Sequence, residues 1–279
     1  MNANIENNNW LRVSLYCAQN DWHKLLSDIS ILKNELSHDI SNSIILFSKE
    51  KGENIRFAVS VTDSEKSGKL RNLISNHFTS FFSTNASASN KKFEYGKTLW
   101  CHFENNSLVW DTYDIATPTA VDTAYLSQTS NLIVELLEDD FSSDNFYSVS
   151  FYLFSKIMRS LAPPKRIDTI VEMIKLYSVE FGQFGEYDFT TSDLVSQFPV
   201  NLSDIFETIQ FYWEEDKTEN ACLNEWENLA IDMMEKEHSP FLLIDNVFYI
   251  LGLSLMERLF ILEILHKWLC ENHTVMLNR

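Results

Sequence analysis

The sequence predicts an α+β protein with segregated elements: an antiparallel sheet with packed helices in the N-terminal half, then a mostly helical C-terminal half. Residues 11–17 and 54–61 alternate apolar and polar side chains with period 2, the mark of strands. Beyond Pro118 the apolar spacing turns helical and stays so. The chain has six glycines and neither a G-x-G-x-x-G nor a P-loop pattern, which disfavours a doubly wound sheet around a nucleotide cradle.

In the opening strand Leu11, Val13, Leu15 and Cys17 face one way and Arg12, Ser14 and Tyr16 the other. Asn20 or Asp21 can cap the helix that follows, where Trp22, Leu25, Leu26, Ile29, Leu32 and Leu36 recur at helical spacing. Residues 43–48 read as a short buried strand. A turn at 51–53, containing Gly52, leads into the strand whose faces are Ile55, Phe57, Val59, Val61 and Arg56, Ala58, Ser60. A second amphipathic helix at 65–82 buries Leu70, Leu73, Ile74, Phe78 and Phe81. Residues 83–90 are small and polar and predict a mobile loop able to cover a site. Strands at 98–103 and 108–113 form a hairpin about Glu104-Asn105-Asn106-Ser107. Helical patterns then cover 121–137, 145–161, 167–181, 202–213, 222–234 and 253–269, with no repeat of fixed period.

Composition narrows the function. With 22 Lys+Arg against 40 Asp+Glu, the 279-residue chain carries a net charge of -18 and shows no basic patch, so nucleic acid and anionic membrane surfaces are disfavoured partners. A hydrophobic content of 45% excludes disorder. Cys17, Cys101, Cys222 and Cys270 are widely spaced and read as reduced thiols rather than a disulfide framework or zinc site. The N-terminus is polar and Asn-rich, unlike a signal peptide, so a cytoplasmic protein is expected. The apolar region 240–265 is interrupted by Asp245, Asn246, Glu257 and Arg258, too broken for the roughly 20 apolar residues of a membrane span.

No metal is expected, because the seven histidines show no ligand spacing. Cys101 and His102 are neighbours on a predicted strand, point to opposite faces and cannot form a catalytic pair; Cys101 reads as a core thiol. The acidic run Glu214, Glu215, Asp216 reads as a solvated helix end rather than a cation site. Arg56 interrupts an apolar strand beside only Ala58 and Ser60. It is either a guanidinium lining a cavity with room for a ligand or an edge-strand arginine in water. Tyr113 and Asp114 end a strand, where acids, bases and hydrogen-bonding groups are often placed.

Several segments together resemble the elimination-domain family of lantibiotic dehydratases, the thiopeptide-type bacteriocin biosynthesis domain. The opening strand Trp10-Leu-Arg-Val-Ser-Leu-Tyr16, the helix with Leu25 and Leu26, and the strand pair at 44–47 and Asn54-Ile-Arg-Phe57 look like the start of that domain. Thr112-Tyr-Asp114 sits where the family has a Tyr-Glu pair, the helix at 123–137 matches its Ser-containing helix, and Leu251-Gly-Leu-Ser254 with Glu257 looks like its closing segment. The resemblance covers nearly the whole chain and implies a single domain over 1–279.

The departures point within the family. Members that eliminate glutamate use arginines and a histidine on the leaving carboxylate. Here Arg56 supplies one arginine of the first motif. The Arg-Tyr-Gly-Gly region reads Ile115-Ala-Thr-Pro-Thr119, and the terminal His-Met-His-x-Asn-Arg stretch reads Ile244-Asp-Asn-Val-Phe-Tyr249. This fits the stand-alone pyridine synthase branch, which joins two dehydroalanines in a formal [4+2] cycloaddition.

The resemblance therefore implies a cofactor-free macrocyclase acting on a dehydrated, azole-containing precursor peptide with its leader, alongside other biosynthetic enzymes. The 2-azadiene requires an amide in its iminol form, which needs a donor at the carbonyl oxygen and an acceptor at the nitrogen. Arg56 and Tyr113 are the donor candidates and Asp114 the acceptor. Tyr125, Ser127 and Ser130 are candidates for positioning the core peptide. Lys49, Lys51, Lys91 and Lys92 are candidates for the leader. The 20 Phe, 10 Tyr and 7 Trp could stack on azole rings, although ordinary core packing is the better explanation of them. Two other readings stand beside it: a split lyase that eliminates glutamate from glutamylated Ser or Thr, and a non-catalytic leader-binding partner subunit.

Overall fold

A computed structural model describes residues 10–88, 103–113, 115, 120–137, 140–182, 201–214, 221–235 and 239–276. The chain divides into two compact units, one drawn from residues 1–134, 138–141 and 250–252 and the other from the remainder.

The first unit is built on a four-stranded antiparallel sheet: β1 (Trp10–Tyr16), β2 (Ile40–Ser48), β3 (Asn54–Val61) and β4 (Ser107–Trp110), in the order β2-β3-β1-β4. The register places Ser14 opposite Arg56 and, across β3, Leu46 opposite Arg56. Helices α1 (Trp22–Glu35) and α2 (Ser67–Thr84) cover the face carrying Val13, Phe47 and Phe57. The Trp22 ring stacks 5.2 Å from Phe47, and Phe78 meets Phe57 edge-on at 6.4 Å. The buried stripe of α2 is Leu70, Ile74, Phe78 and Phe82, one residue every four, so Leu73 stays exposed and Phe82 replaces Phe81 in the core. Asp21 does not cap α1; its carboxylate is bonded to Lys24 at 2.6 Å.

The alternation in β1 suggests a half-buried strand, yet its second face is closed as well. Ser14, Tyr16, Asn54 and Ala58 are all buried, because β1 and β3 lie inside the sheet and their polar positions share one covered face. The strand expected to reach residue 113 ends at Trp110, since Asp111 adopts φ 55, the left-handed region that turns the chain off the ladder. Of the loop at 83–90, Ser87 is buried and held: its hydroxyl accepts from Ala18 N–H at 3.0 Å, its N–H donates to Asn106 Oδ1 at 2.7 Å, and Asn105 donates to its carbonyl at 2.7 Å. The strand at 98–103 lies outside the described residues apart from Phe103, which is in a loop.

Helix α3 (Ala120–Leu137) lies against the outer side of β2. Ser127 donates to Ser43 O at 2.6 Å. Ser130 accepts from Ile45 N–H at 2.7 Å and donates to Ile45 O at 2.8 Å. Alternate residues of a strand direct their backbone groups to the same side, so these hydroxyls occupy the side of β2 opposite to β3.

The second unit is helical: α4 (Ser143–Ser160), α5 (Pro163–Gly182), α6 (Leu202–Glu214), α7 (Ala221–Glu235), α8 (Pro240–Leu251) and α9 (Leu255–Met276). Residues 151–158 of α4 are buried without interruption, which makes it the central helix. Phe154 packs edge-on against Phe248 of α8 at 5.0 Å, Trp226 of α7 donates to Leu153 O at 3.3 Å, and Trp213 of α6 lies 5.1 Å from Trp268 of α9.

The apolar region 240–265 is two helices divided at Gly252. Gly252 takes φ 61 and Leu253 N–H reaches back to Phe248 O at 3.1 Å, closing α8 with a left-handed residue as only glycine does readily. A reciprocal Ser254 and Glu257 cap then opens α9: Ser254 N–H donates to Glu257 Oε2 at 2.8 Å, and Glu257 N–H to Ser254 Oγ at 3.3 Å. Among the described residues no helix is long and apolar enough to cross a membrane.

Candidate functional site

Arg56 stands on β3, an interior strand, so its guanidinium does not lie at a sheet edge in water. The side chain is 15% exposed. Its Nη2 donates to Glu50 Oε2 at 2.6 Å, and its Cζ lies 5.1 Å from the centre of the Tyr113 ring.

Local chain geometry brings both partners in. Between β2 and β3, Lys51 and Gly52 take φ 57 and 122, a tight reversal that returns Glu50 over the residue six positions ahead. Asn54 fixes this reversal by donating from Nδ2 to the carbonyls of Ser48, Glu50 and Gly52 at 3.3, 3.1 and 2.8 Å. A Cβ on Gly52 would come within 3.3 Å of the Tyr16 ring, so the close approach and the positive φ both call for glycine. On the far side, the turn at Asp111 carries Thr112 and Tyr113 off β4. Thr112 Oγ1 and Ser14 Oγ share a hydrogen bond at 2.6 Å, while Tyr113 reaches across β1 to β3.

A polar cluster thus sits on the second face of the sheet: Ser14, Tyr16, Asn54 and Arg56, capped by Glu50, Thr112 and Tyr113. Arg12 shares this face and pairs with Asp111 at 3.8 Å, which Arg71 also holds at 3.1 Å. Burial raises the pKa of Tyr16 above the usual phenol value against the opposing pull of Arg56, so its hydroxyl remains a neutral donor. The cluster therefore offers cationic and neutral donors to an oxygen, the arrangement that polarises a carbonyl.

Nucleophilic chemistry finds less support. Burial drives the Cys17 thiol far up, and burial with Glu135 nearby pushes Cys222 up to about 12. Among the described residues no group of three His, Cys, Asp or Glu side chains is placed to hold a metal ion.

Of the residues singled out from the sequence, Arg56 and Tyr113 meet face to face. Lys49 and Lys51 are exposed on the same turn as Glu50. Tyr125 is buried. Ser127 and Ser130 are buried and bonded to the backbone of β2, Ser127 at Ser43 O and Ser130 at the N–H and O of Ile45. Asp114, Lys91, Lys92, Cys101 and His102 lie outside the described residues. Sequence reasoning missed Arg12, Ser14, Tyr16, Glu50 and Asn54. The available signal was parity: Arg12, Ser14 and Arg56 all occupy polar positions of strands that alternate, and pairing those strands puts them on one face.

No protein-family model matches the chain, and no curated protein matches it by sequence. Solved structures do. The pyridine synthase TbtD from thiomuracin biosynthesis is similar with a TM-score of 0.64 at 13% identity, over 96% of this chain and 99% of that one. TsrL is similar with a TM-score of 0.61 at 11% identity, over 95% of each. The chain therefore has the fold shared by the pyridine synthase TbtD and TsrL, the fold that its opening strand, strand pair and closing segment resemble in sequence.

Proposed function

We propose that the protein is a macrocyclase of thiopeptide biosynthesis that forms a pyridine from two dehydroalanines of a modified precursor peptide. The observation that carries this reading is the likeness in fold to a pyridine synthase over nearly the full length of both chains. The donor cluster at Arg56 supports it, because the reaction needs a held and polarised amide rather than a nucleophile.

In the proposed reaction one dehydroalanine and the carbonyl before it form the azadiene as an iminol. Two carbon–carbon bonds form to the second dehydroalanine: one joins the two β-carbons, the other joins the iminol carbon to the second α-carbon. Loss of water from the former carbonyl carbon and departure of the leader as a carboxamide complete the aromatic ring, with no oxidant required. Holding the two alkenes together is worth on the order of 7 to 11 kcal/mol. Arg56 donates to the carbonyl oxygen, Tyr113 covers the guanidinium and donates beside it, and Asp114 accepts from the amide nitrogen. Tyr125 shapes the pocket, and Lys49, Lys51, Lys91 and Lys92 contact the leader.

Incubating the purified protein with a leader-linked peptide carrying two dehydroalanines and an azole, without cofactor, and following it by mass spectrometry tests this. The expected products are a macrocycle and the leader carboxamide. Glutamate release from a glutamylated peptide would favour the lyase instead, and binding without conversion would favour a leader-binding subunit.

A further inference from the structure

Two buried polar atoms on the cluster's face have no hydrogen-bond partner among the described residues: Asn54 Oδ1 and Arg56 Nε. Leaving a donor or acceptor buried and unsatisfied costs about 1–3 kcal/mol each, so such groups call for an explanation. The assignment of Asn54 is fixed by its surroundings. Its Nδ2 faces three backbone carbonyls, and exchanging N and O would set an oxygen against three oxygens. Arg56 is fixed likewise, with Nη2 on Glu50 and the Tyr113 ring against the guanidinium, which leaves Nε–H directed elsewhere. Residues 54 and 56 of β3 share a face, about 6.6 Å apart along the strand.

The two orphans are complementary, one acceptor and one donor. A group that satisfies both carries an oxygen on one edge and an N–H on the opposite edge, as a trans amide lying between the two does. We propose that Asn54 Oδ1 and Arg56 Nε together bind one secondary amide of a peptide substrate, the amide oxygen accepting from Nε–H and its N–H donating to Oδ1. This deepens the function proposed above and rests on it for the identity of the peptide. Asn54 thereby becomes a substrate-orienting residue as well as the pin of its turn, and the Tyr113 ring is the cover an entering amide displaces. The pair selects for a free amide N–H at the position it reads. An N-alkylated amide or an ester leaves Oδ1 unsatisfied.

The test uses a small unreactive probe on the whole protein. N-methylacetamide and N,N-dimethylacetamide are titrated while the Arg56 Nε–H resonance, identified by its loss in Arg56→Lys, is followed in a nitrogen–proton correlation spectrum. The expected result is a saturable shift with N-methylacetamide, about tenfold weaker binding of the dimethyl analogue, and no matching shift at exposed Arg71. No shift at Arg56, as when the pair holds only water, overturns the proposal, and so does equal affinity for both probes. The outcome is separable from ring formation. Probe binding with an unconverted peptide keeps the amide pair and refutes the cyclase, whereas conversion without an Nε response does the reverse.

Discussion

Replacing Gly252 by alanine is expected to destabilise the protein far more than its place at a helix end suggests. The residue takes φ 61, where an L side chain costs about 1–2 kcal/mol. A Cβ built there lies 2.8 Å from the Phe47 carbonyl carbon and 3.2 Å from Ser48 Cα, with the Phe47 oxygen closer still. These are backbone atoms of β2 and cannot rotate away, so the strand or the turn must shift, an overpacking cost of about 1–3 kcal/mol. The sum is roughly 2–5 kcal/mol, or about 4–20 °C in Tm for a domain of this size. Gly68 is the control. It sits in α2 with nothing within 4 Å of its would-be Cβ, so Gly68→Ala should stabilise by about 1 kcal/mol through helix propensity alone. Urea denaturation of both variants measures the contrast. A Gly252→Ala protein within about 1 kcal/mol of wild type would refute the close approach, because the backbone penalty alone reaches that figure.

Ser130→Ala removes both partners of Ile45's backbone and should cost about 1–3 kcal/mol in the same assay, whereas Ser130→Thr, which keeps the hydroxyl, should recover most of it. Tyr16, Tyr147 and Tyr177 all have their phenol pKa values raised by burial, Tyr147 also by Glu257 and Tyr177 by Asp245. A raised folded value means the native state holds the proton more tightly, so this contribution is fully present below pH 10.0, the ordinary tyrosine value, and fades as pH rises through the folded values. Stability should thus fall above about pH 10, and Tyr177→Phe should flatten that limb of the pH–stability curve; an unchanged slope would argue against the Tyr177 contact with Asp245.

Elements carried by local pattern were legible in advance. Residues 54–61 alternate cleanly and form β3 with those limits, and the helical spacing beyond Pro118 marks α3 to α7 to within a few residues. What escaped depends on distance in the chain or on one dihedral angle. Parity marks Arg12, Ser14 and Arg56 as polar positions of their strands, but nothing local says that β1 pairs with β3 and so joins them on one face. Asp111 carries the turn that sends Tyr113 over Arg56, yet aspartate takes left-handed backbone only occasionally, so its presence does not announce the turn. Ser127 and Ser130 looked available because a hydroxyl on a helix declares its partner only when the neighbouring strand is known. The helix expected from residue 253 starts just past Gly252, but α8 before it went unread, because an element apolar on nearly every side shows no helical stripe.

The outer margin of β2 has one more consequence. A strand at the end of a sheet is a template on which a foreign extended segment can grow, the route to strand exchange and fibrous aggregates. Here Ser127 and Ser130 fill hydrogen-bonding positions at Ser43 and Ile45 that an incoming strand would use, and the Gly252 backbone occupies the space beside the next one, at Phe47. A foreign extended segment would otherwise find a docking rail along this margin. Two hydroxyls and one missing methyl group leave it nowhere to zip on.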